Sequence, residues 1–481
     1  MAQSLYWYDL ETSGTEPRWD RIVQFGGFRT DMSLKPIGDE YCTYVRLPDD
    51  VLPNPQATLV TGITPELTHR EGVSEFEALC RIRTLFSEPG TCVAGFNNLR
   101  FDDEFIRFGF YRMLMDPYAR EWQNDNSRWD IIDLVRATGA LRRDGIVWPT
   151  NEEGLPTYRL EDMTRANGLD HGQAHDALSD VRATVAVARM ILEAQPRLYE
   201  YYFNLRRKKA VRKLLEPYGA RLCVHVSGMY PRERYCSAPV ISVCRHPTNS
   251  NSIIVADLGH DIEPLLRCSE DEIREKLFTP GPNSDRPPLK EIKINRCPFV
   301  AGIEVLDDEG WSRIGARQRD VEKRQRRLKQ PGVAQKIMRV FAGRPMDQIE
   351  DPDAALYDAF LQDADRSRCD RFLEGVNEGG WVDLDYSDKR LHALASRLKA
   401  RSFPERMTAE ERQAWHDFVS EKLHADAAPW LTLPAFFENL ERSQAELEER
   451  PASGRERELL ATLAEYGRDL NGRYPPPGAH D

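Results

Sequence analysis

The chain has 481 residues, a net charge of −12, 41% hydrophobic residues and 9% aromatic residues. That length is too great for one ordinary domain, so two or three are expected, and no apolar run is long enough to cross a bilayer. The acidic balance argues, on its face, against a nucleic-acid partner. The nine cysteines are scattered without a C-x-x-C pair, which points to a reducing cytoplasm rather than to disulfides or a zinc site. The N-terminus shows neither the basic nor the apolar region of a secretory signal.

The first element is an apolar segment, Leu5 to Tyr8, that runs into Asp9-Leu10-Glu11 and is broken by Thr12, Ser13 and Gly14. It reads as a strand and its end. Residues two apart on a strand share a face, so Asp9 and Glu11 can aim two carboxylates at one point. A hard divalent cation held through oxygen would neutralise them. Two solvated acids at a strand end give the same pattern. Arg21 to Arg29 and Glu40 to Val45 read as two further strands of an antiparallel region, and a helix follows from Phe76 to Phe86.

A short buried strand, Thr91 to Ala94, precedes Gly95-Phe96-Asn97-Asn98 and then Asp102 and Asp103 at the start of a helix placed from Phe105 to Met115. Acids in a first helical turn are favoured by the helix dipole; that does not account for the two asparagines before them. Helices are expected from Ile131 to Thr138, Leu160 to Ala166 and Ala177 to Leu192. His175 stands at or just before the last of these and Asp180 lies on it. Strands and helices mixed in this order give a layered α/β domain over residues 1–195.

Residues 200–215 read as a basic helical bridge at the start of a second domain, 196–350. It contains Arg206, Arg207, Lys208, Lys209, Arg212 and Lys213; a second basic run holds Lys323, Arg324, Arg326, Arg327 and Lys329. Screening limits the reach of distant acids to about 8 Å at physiological salt, so an acidic protein can still bind DNA through a local basic lining. Each run can equally be a solvated helix face. Leu222 to Val226, Val240 to Cys244, Ser252 to Ala256 and Ile292 to Ile294 read as short strands, making this module mostly β. From about Arg313 onward the pattern is helical. A third, α-helical domain covers 351–481, with helices expected from Ala354 to Leu361, Lys389 to Lys399, Ala409 to Leu423, Pro434 to Ala445 and Arg455 to Asp469.

Asp9, Glu11, Asp102, His175 and Asp180 together resemble the exonuclease superfamily built on four acids and a histidine, whose fold is ribonuclease H-like. Val60 to Pro65, Asp125 to Asp130 and Ile294 to Pro298 extend the resemblance, over nearly the whole chain, to the bacterial exonuclease I family. That resemblance implies an SH3-like second domain. It also implies Mg²⁺-dependent hydrolysis of single-stranded DNA from the 3′ end, releasing 5′-mononucleotides in DNA repair and recombination. Two ions would be bridged by Asp9 and held by Glu11 and Asp180, with Asp102 helping directly or through water, and His175 would take the proton of the attacking water.

By the same resemblance Arg159 would meet a phosphate near the 3′ end, beside Glu11. Arg107, Tyr118, Trp122, Arg136 and Arg142 would line the path of the strand, by forked hydrogen bonds to phosphate and by stacking. Lys208, past the first domain, would meet DNA upstream of the cleaved end. Tyr118 and Trp122 equally suit core packing, and Arg136 an ordinary helix surface. The family binds the acidic, hydrophobic C-terminal tail of single-strand-binding protein, for which Arg142, Tyr201 and the basic residues between Arg317 and Arg327 form a candidate pocket. A monomer is expected. An RNase of the same superfamily and an inactive DNA-binding scaffold are the alternatives.

Overall fold

The computed structural model describes residues 3–169, 176–279, 286–342, 349–381, 384–449 and 453–478. A five-stranded sheet organises the first region. Its strands are β1 (Ser4–Thr12), β2 (Ile22–Thr30), β3 (Pro36–Tyr44), β4 (Thr91–Gly95) and β5 (Ser127–Asp130), in the order β3-β2-β1-β4-β5. The pairs β1/β2 and β2/β3 are antiparallel; β1/β4 and β4/β5 are parallel. β1 is therefore central and buried on both faces, which its run of Leu5, Tyr6, Trp7 and Tyr8 suits. In the register Asp9 lies opposite Gly26 and Glu11 opposite Gln24.

A second sheet, entirely antiparallel, comprises β6 (Leu222–Val226), β7 (Ser237–Arg245), β8 (Ser252–Asp257), β9 (Leu289–Lys293) and β10 (Phe299–Gly302), in the order β10-β6-β7-β8-β9. Neither β5 nor β10, each four residues long, is foreseen from the sequence. The second sheet also has its own helices: Ile273, Val321, Ile337 and Phe341 pack on Ile241 and Ile254 in one apolar cluster. The basic bridge is two helices, Pro196–Asn204 and Lys208–Leu215.

One expected helix is absent. Ala354 to Leu361 forms only a short 3₁₀ turn, Pro352–Ala354, followed by irregular chain. The guanidinium of Arg390 takes the carbonyls of Ala355 and Ala359, at 2.5 and 3.0 Å, that a helix would spend on its own amides. The helix Asp363–Asn377 that follows is so rich in charge that its apolar stripe, Cys369, Phe372, Leu373 and Val376, escapes a periodicity reading. The remaining C-terminal helices are Lys389–Ser402, Ala409–Leu423, Leu433–Glu448 and Gly454–Arg473.

The three regions share cores. Trp7 and Trp129 are in one cluster with Tyr202, Val224 and Phe299, whereas Tyr8 and Phe105 are in another with Phe372, Leu394 and Leu398. A buried ionic cluster adds to the second contact. Asp50 pairs with Arg401 at 2.6 Å and Lys422 at 2.8 Å, and Asp353 pairs with Arg401 at 2.5 Å, Arg21 at 3.2 Å and Arg397 at 3.2 Å. Burial pushes both carboxyls up, but the surrounding cations outweigh it and hold both well below the usual range. Removing one member of a buried set strands the others. Asp353→Asn is expected to cost about 3–5 kcal/mol and to lower the midpoint of thermal unfolding by roughly 3–5 °C. Differential scanning calorimetry checks this, and an unchanged midpoint would show the cluster to be energetically neutral.

Candidate active site

The shared face of β1 carries Asp9 and Glu11 as its alternation requires, and the helix Ala177–Ala194 brings Asp180 against them. One carboxylate oxygen from each of these three residues lies within 4.8 Å of the others. Two residues of β2 make this approach possible. A Cβ on Gly26 would stand 2.5 Å from the amide nitrogen of Leu178 and 2.7 Å from the carbonyl carbon of Ala177, so only glycine admits the helix. Gln24 then fastens the helix start: its Nε2 donates to Asp176 Oδ1 at 3.0 Å and its Oε1 accepts from the Ala177 amide at 3.2 Å. Asp176 caps the helix by accepting from the Ser179 amide.

Asp102 comes from the other side. The helix Asp102–Arg112 begins three residues earlier than its apolar spacing indicates. Asp102 Oδ1 accepts from the amide of Leu10, the residue between Asp9 and Glu11, at 3.2 Å. Its carboxylate adjoins the three-acid group without being part of it. Asp130, at the end of β5, accepts from the amides of Asn97, Leu99 and Ile132, and so shapes the loop before the helix, where Asn97 has a φ of 63°. This explains the asparagine that the helix dipole leaves unexplained, since Asn tolerates the left-handed region. His175 lies outside the described residues.

Burial pushes the Asp9 carboxyl far up, and Asp102, Glu11, Asp180 and Asp176 push it further. Burial, then Asp180 and Asp176, raise Glu11 from an ordinary 4.5 to about 8. Burial is also the main cause of the strong rise at Asp102. The neighbouring Asp103 goes the other way. Although burial opposes it, Arg120 at 2.6 Å and Arg128 at 2.5 Å hold it well below the usual range, and Tyr8 donates to it at 2.8 Å.

A cleft of about 400 Å³ opens at Asp180, lined by Phe96, Asn97, Arg136 and Arg159 from the first region and by Gly228 and Arg232 from the β6–β7 connection. Three family models match the chain in sequence: an exonuclease domain over 6–188, the exonuclease I SH3-like domain over 206–343 and the exonuclease I C-terminal domain over 350–470. Exodeoxyribonuclease I of Escherichia coli is 41% identical over 85% of this chain and 87% of its own length. The crystal structure of E. coli exonuclease I in complex with a dA16 oligonucleotide superposes with a TM-score of 0.91 at 36% identity, over 97% of this chain and all of that one. The zinc-bound form of the E. coli enzyme with single-stranded DNA gives a TM-score of 0.90 at 36% identity, over 98% of this chain and all of that one.

The chain belongs to the exodeoxyribonuclease I family. It is an exonuclease, and neither the RNase nor the inactive-scaffold alternative is favoured. Of the strand-contact residues expected for exonuclease I, Arg159 and Arg136 line the cleft. Arg159 is 66% exposed and makes one surface bridge, to Glu161, which suits a side chain that must reach a phosphate. Arg136 is bound to Asp133 at 2.7 Å. Trp122 is 66% exposed, so it is not core. Tyr118 is half-buried, with the Arg107 guanidinium over its ring.

Other expected contacts are spent within the protein. Arg107 is buried and paired with Glu121 at 2.8 Å and Glu104 at 3.0 Å. Arg142 donates to the carbonyl of Val305 at 3.3 Å. Lys208 is exposed in the first turn of its helix, but its neighbour Arg206 is folded over the Phe203 ring at 3.7 Å and Arg207 pairs with Asp125. The basic run thus offers fewer free charges than its composition indicates.

Two predictions follow from this geometry. Gly26→Ala must push the Asp180 helix away from β1, and a displacement of about 1 Å at a reacting centre can cost roughly 10²-fold in rate. Turnover that stays within about twofold of wild type would show that the helix position is not limiting. The second concerns pH. A carboxyl raised in the folded state adds stability that is full below its unfolded value and is lost as pH rises through its folded value. The metal-free protein should therefore lose stability between about pH 5 and pH 8 as Glu11 ionises beside Asp180. A divalent cation should raise the unfolding midpoint more at about pH 8 than at about pH 6, because it displaces the protons held at lower pH. An equal rise at both would contradict the assignment.

Proposed function

We propose that this chain hydrolyses single-stranded DNA from the 3′ end with a divalent cation, Mg²⁺, releasing 5′-mononucleotides in DNA repair and recombination. The observation that carries this reading is the convergence of Asp9, Glu11 and Asp180 within 4.8 Å, with Asp180 lining a cleft of about 400 Å³. The donor set is all carboxylate oxygen, which suits a hard cation. The raised pKa values describe groups short of positive charge. Asp9, Glu11 and Asp180 would hold two ions, with Asp102 contributing directly or through water. Cations held there would supply positive charge at the scissile phosphate and at the departing oxygen. His175 takes the proton of the attacking water, a role that suits a histidine, whose unperturbed pKa as a residue type is about 6.5.

Arg159 binds phosphate at the 3′ end, Arg136 lines the path of the strand, and Trp122 and Tyr118 present ring faces to bases further along. Such contacts read no base identity, so no strong sequence preference is expected. Arg107 reaches phosphate only if the strand competes with Glu104 and Glu121. The domain limits we assign are 1–195, 196–350 and 351–481. Among the described residues no helix is long and apolar enough to cross a membrane, and all nine cysteines are free thiols; the protein acts as a cytoplasmic monomer in this reading.

The C-terminal tail of single-strand-binding protein is the proposed protein partner. Tyr201 donates to the carbonyl of Val300 within β10, and Arg142 to that of Val305 in the turn just after it. Arg324 and Arg327, by contrast, are tied to the Leu258 carbonyl and to Glu263, leaving Arg317, Arg319, Lys323 and Arg326 as the cations for an acidic tail.

The test is release of labelled nucleotide from 3′- and 5′-labelled single strands, duplexes and RNA, with Mg²⁺ and with chelator. Wild type should release the 3′ label from single-stranded DNA only with metal. Asp9→Ala, Glu11→Ala and Asp180→Ala should each abolish release, and His175→Ala should slow it roughly 10²–10⁴-fold while leaving DNA affinity intact. Metal-independent release, or near-normal turnover in a carboxylate variant that folds, would remove the assignment.

A further inference from the structure

One carboxylate joins all three regions of the chain. Glu104 lies in the first turn of the helix Asp102–Arg112, in the nuclease region, and its side chain is 14% exposed. Its Oε1 accepts from Arg107 Nη1 at 3.0 Å, on the same helix, and from Arg296 Nη2 at 2.5 Å, in the link between β9 and β10. Its Oε2 accepts from the Tyr357 hydroxyl, in the irregular chain that opens the C-terminal region. The two long-range partners are 192 and 253 residues away in sequence.

Besides Glu104, the Tyr357 segment is tied to the nuclease region by the buried Arg21–Asp353 pair at 3.2 Å and by Arg107, which donates to the Tyr357 hydroxyl at 3.3 Å. Around Arg296, Cys297 Sγ lies 3.1 Å from the Arg128 carbonyl and Arg128 donates to the Asn295 carbonyl at 3.4 Å. Around Tyr357, the ring meets Phe108 edge-on at 5.7 Å and Arg112 donates to the Asp353 carbonyl at 3.4 Å. Charge-assisted bonds to a partly buried carboxylate are stronger than these ring and carbonyl contacts. Both later regions thus depend on one acid for their strongest contact with this helix.

We propose that Glu104 is a latch: it holds the β module and the C-terminal region closed together on the nuclease helix, and so sets how many nucleotides are released per encounter with a strand. The second half rests on the function proposed above. Glu104 is a positioning residue in this account, acting through Arg296 and Tyr357 on the enclosure of the strand and not on the bond being broken.

Glu104→Gln keeps the shape and removes the charge; Arg296→Gln and Tyr357→Phe each release one region. Amide hydrogen exchange without DNA reads closure directly. Residues 286–299 and 349–361 should exchange faster in Glu104→Gln, only the first segment in Arg296→Gln and only the second in Tyr357→Phe. Nucleotides released per encounter, measured with an excess of unlabelled strand as trap, should fall about fivefold or more in Glu104→Gln, with turnover on a trinucleotide within about twofold of wild type. Adding Tyr357→Phe to Glu104→Gln should cost nothing further, since contacting residues are non-additive. Unchanged exchange in both segments overturns the latch. Faster exchange with unchanged release per encounter overturns its link to processive digestion. If wild type releases no nucleotide with Mg²⁺, the functional reading falls and the exchange experiment alone decides the latch.

Discussion

Mutual repulsion among Asp9, Glu11 and Asp180 is the constraint around which the nuclease region is arranged. Three carboxylates whose oxygens approach within 4.8 Å oppose one another at an energy that falls only with a cation or with protons between them. The backbone holds them there regardless. β1 fixes two by strand alternation. Gly26 and Gln24, their register partners on β2, admit and fasten the helix that supplies the third. The Leu10 amide draws in Asp102. The outcome is a group that binds protons when no metal is present, with Glu11 raised to about 8.

The rest of the molecule treats buried acids differently. Asp50, Asp103 and Asp353 are as deeply buried as the site acids, yet each is surrounded by guanidinium or ammonium groups and held well below the usual range. Asp102 and Asp103 are adjacent in sequence and shifted in opposite directions, because the helix turns one toward Leu10 and the acids and the other toward Arg120 and Arg128. Built-in countercharge marks the acids that hold regions together. Its lack, among the described residues, around Asp9, Glu11 and Asp102 marks the acids that wait for a cation.

What could be read in advance follows from the range of the interaction. Asp9 and Glu11 were legible because alternation on a strand is local, and Asp180 because helical spacing around it is. Gly26 gave a weak signal, a glycine pair inside a strand. Ionic partners hundreds of residues apart, such as Arg296 and Tyr357 with Glu104 or Arg401 with Asp50, have no sequence signature at all. The same blindness made Arg206 and Arg107 read as free charge when one is folded on Phe203 and the other is shared by two glutamates. It also made Ala354 to Leu361 read as a helix whose carbonyls Arg390 had claimed.

The most direct test of the central claim is where a cation binds. Crystals of the protein soaked in Mn²⁺, with anomalous diffraction recorded at the manganese edge, should show an anomalous peak among the carboxylate oxygens of Asp9, Glu11 and Asp180, and that peak should vanish in Asp9→Ala. Manganese bound elsewhere, with no peak among these three carboxylates in the wild-type protein, would contradict the account.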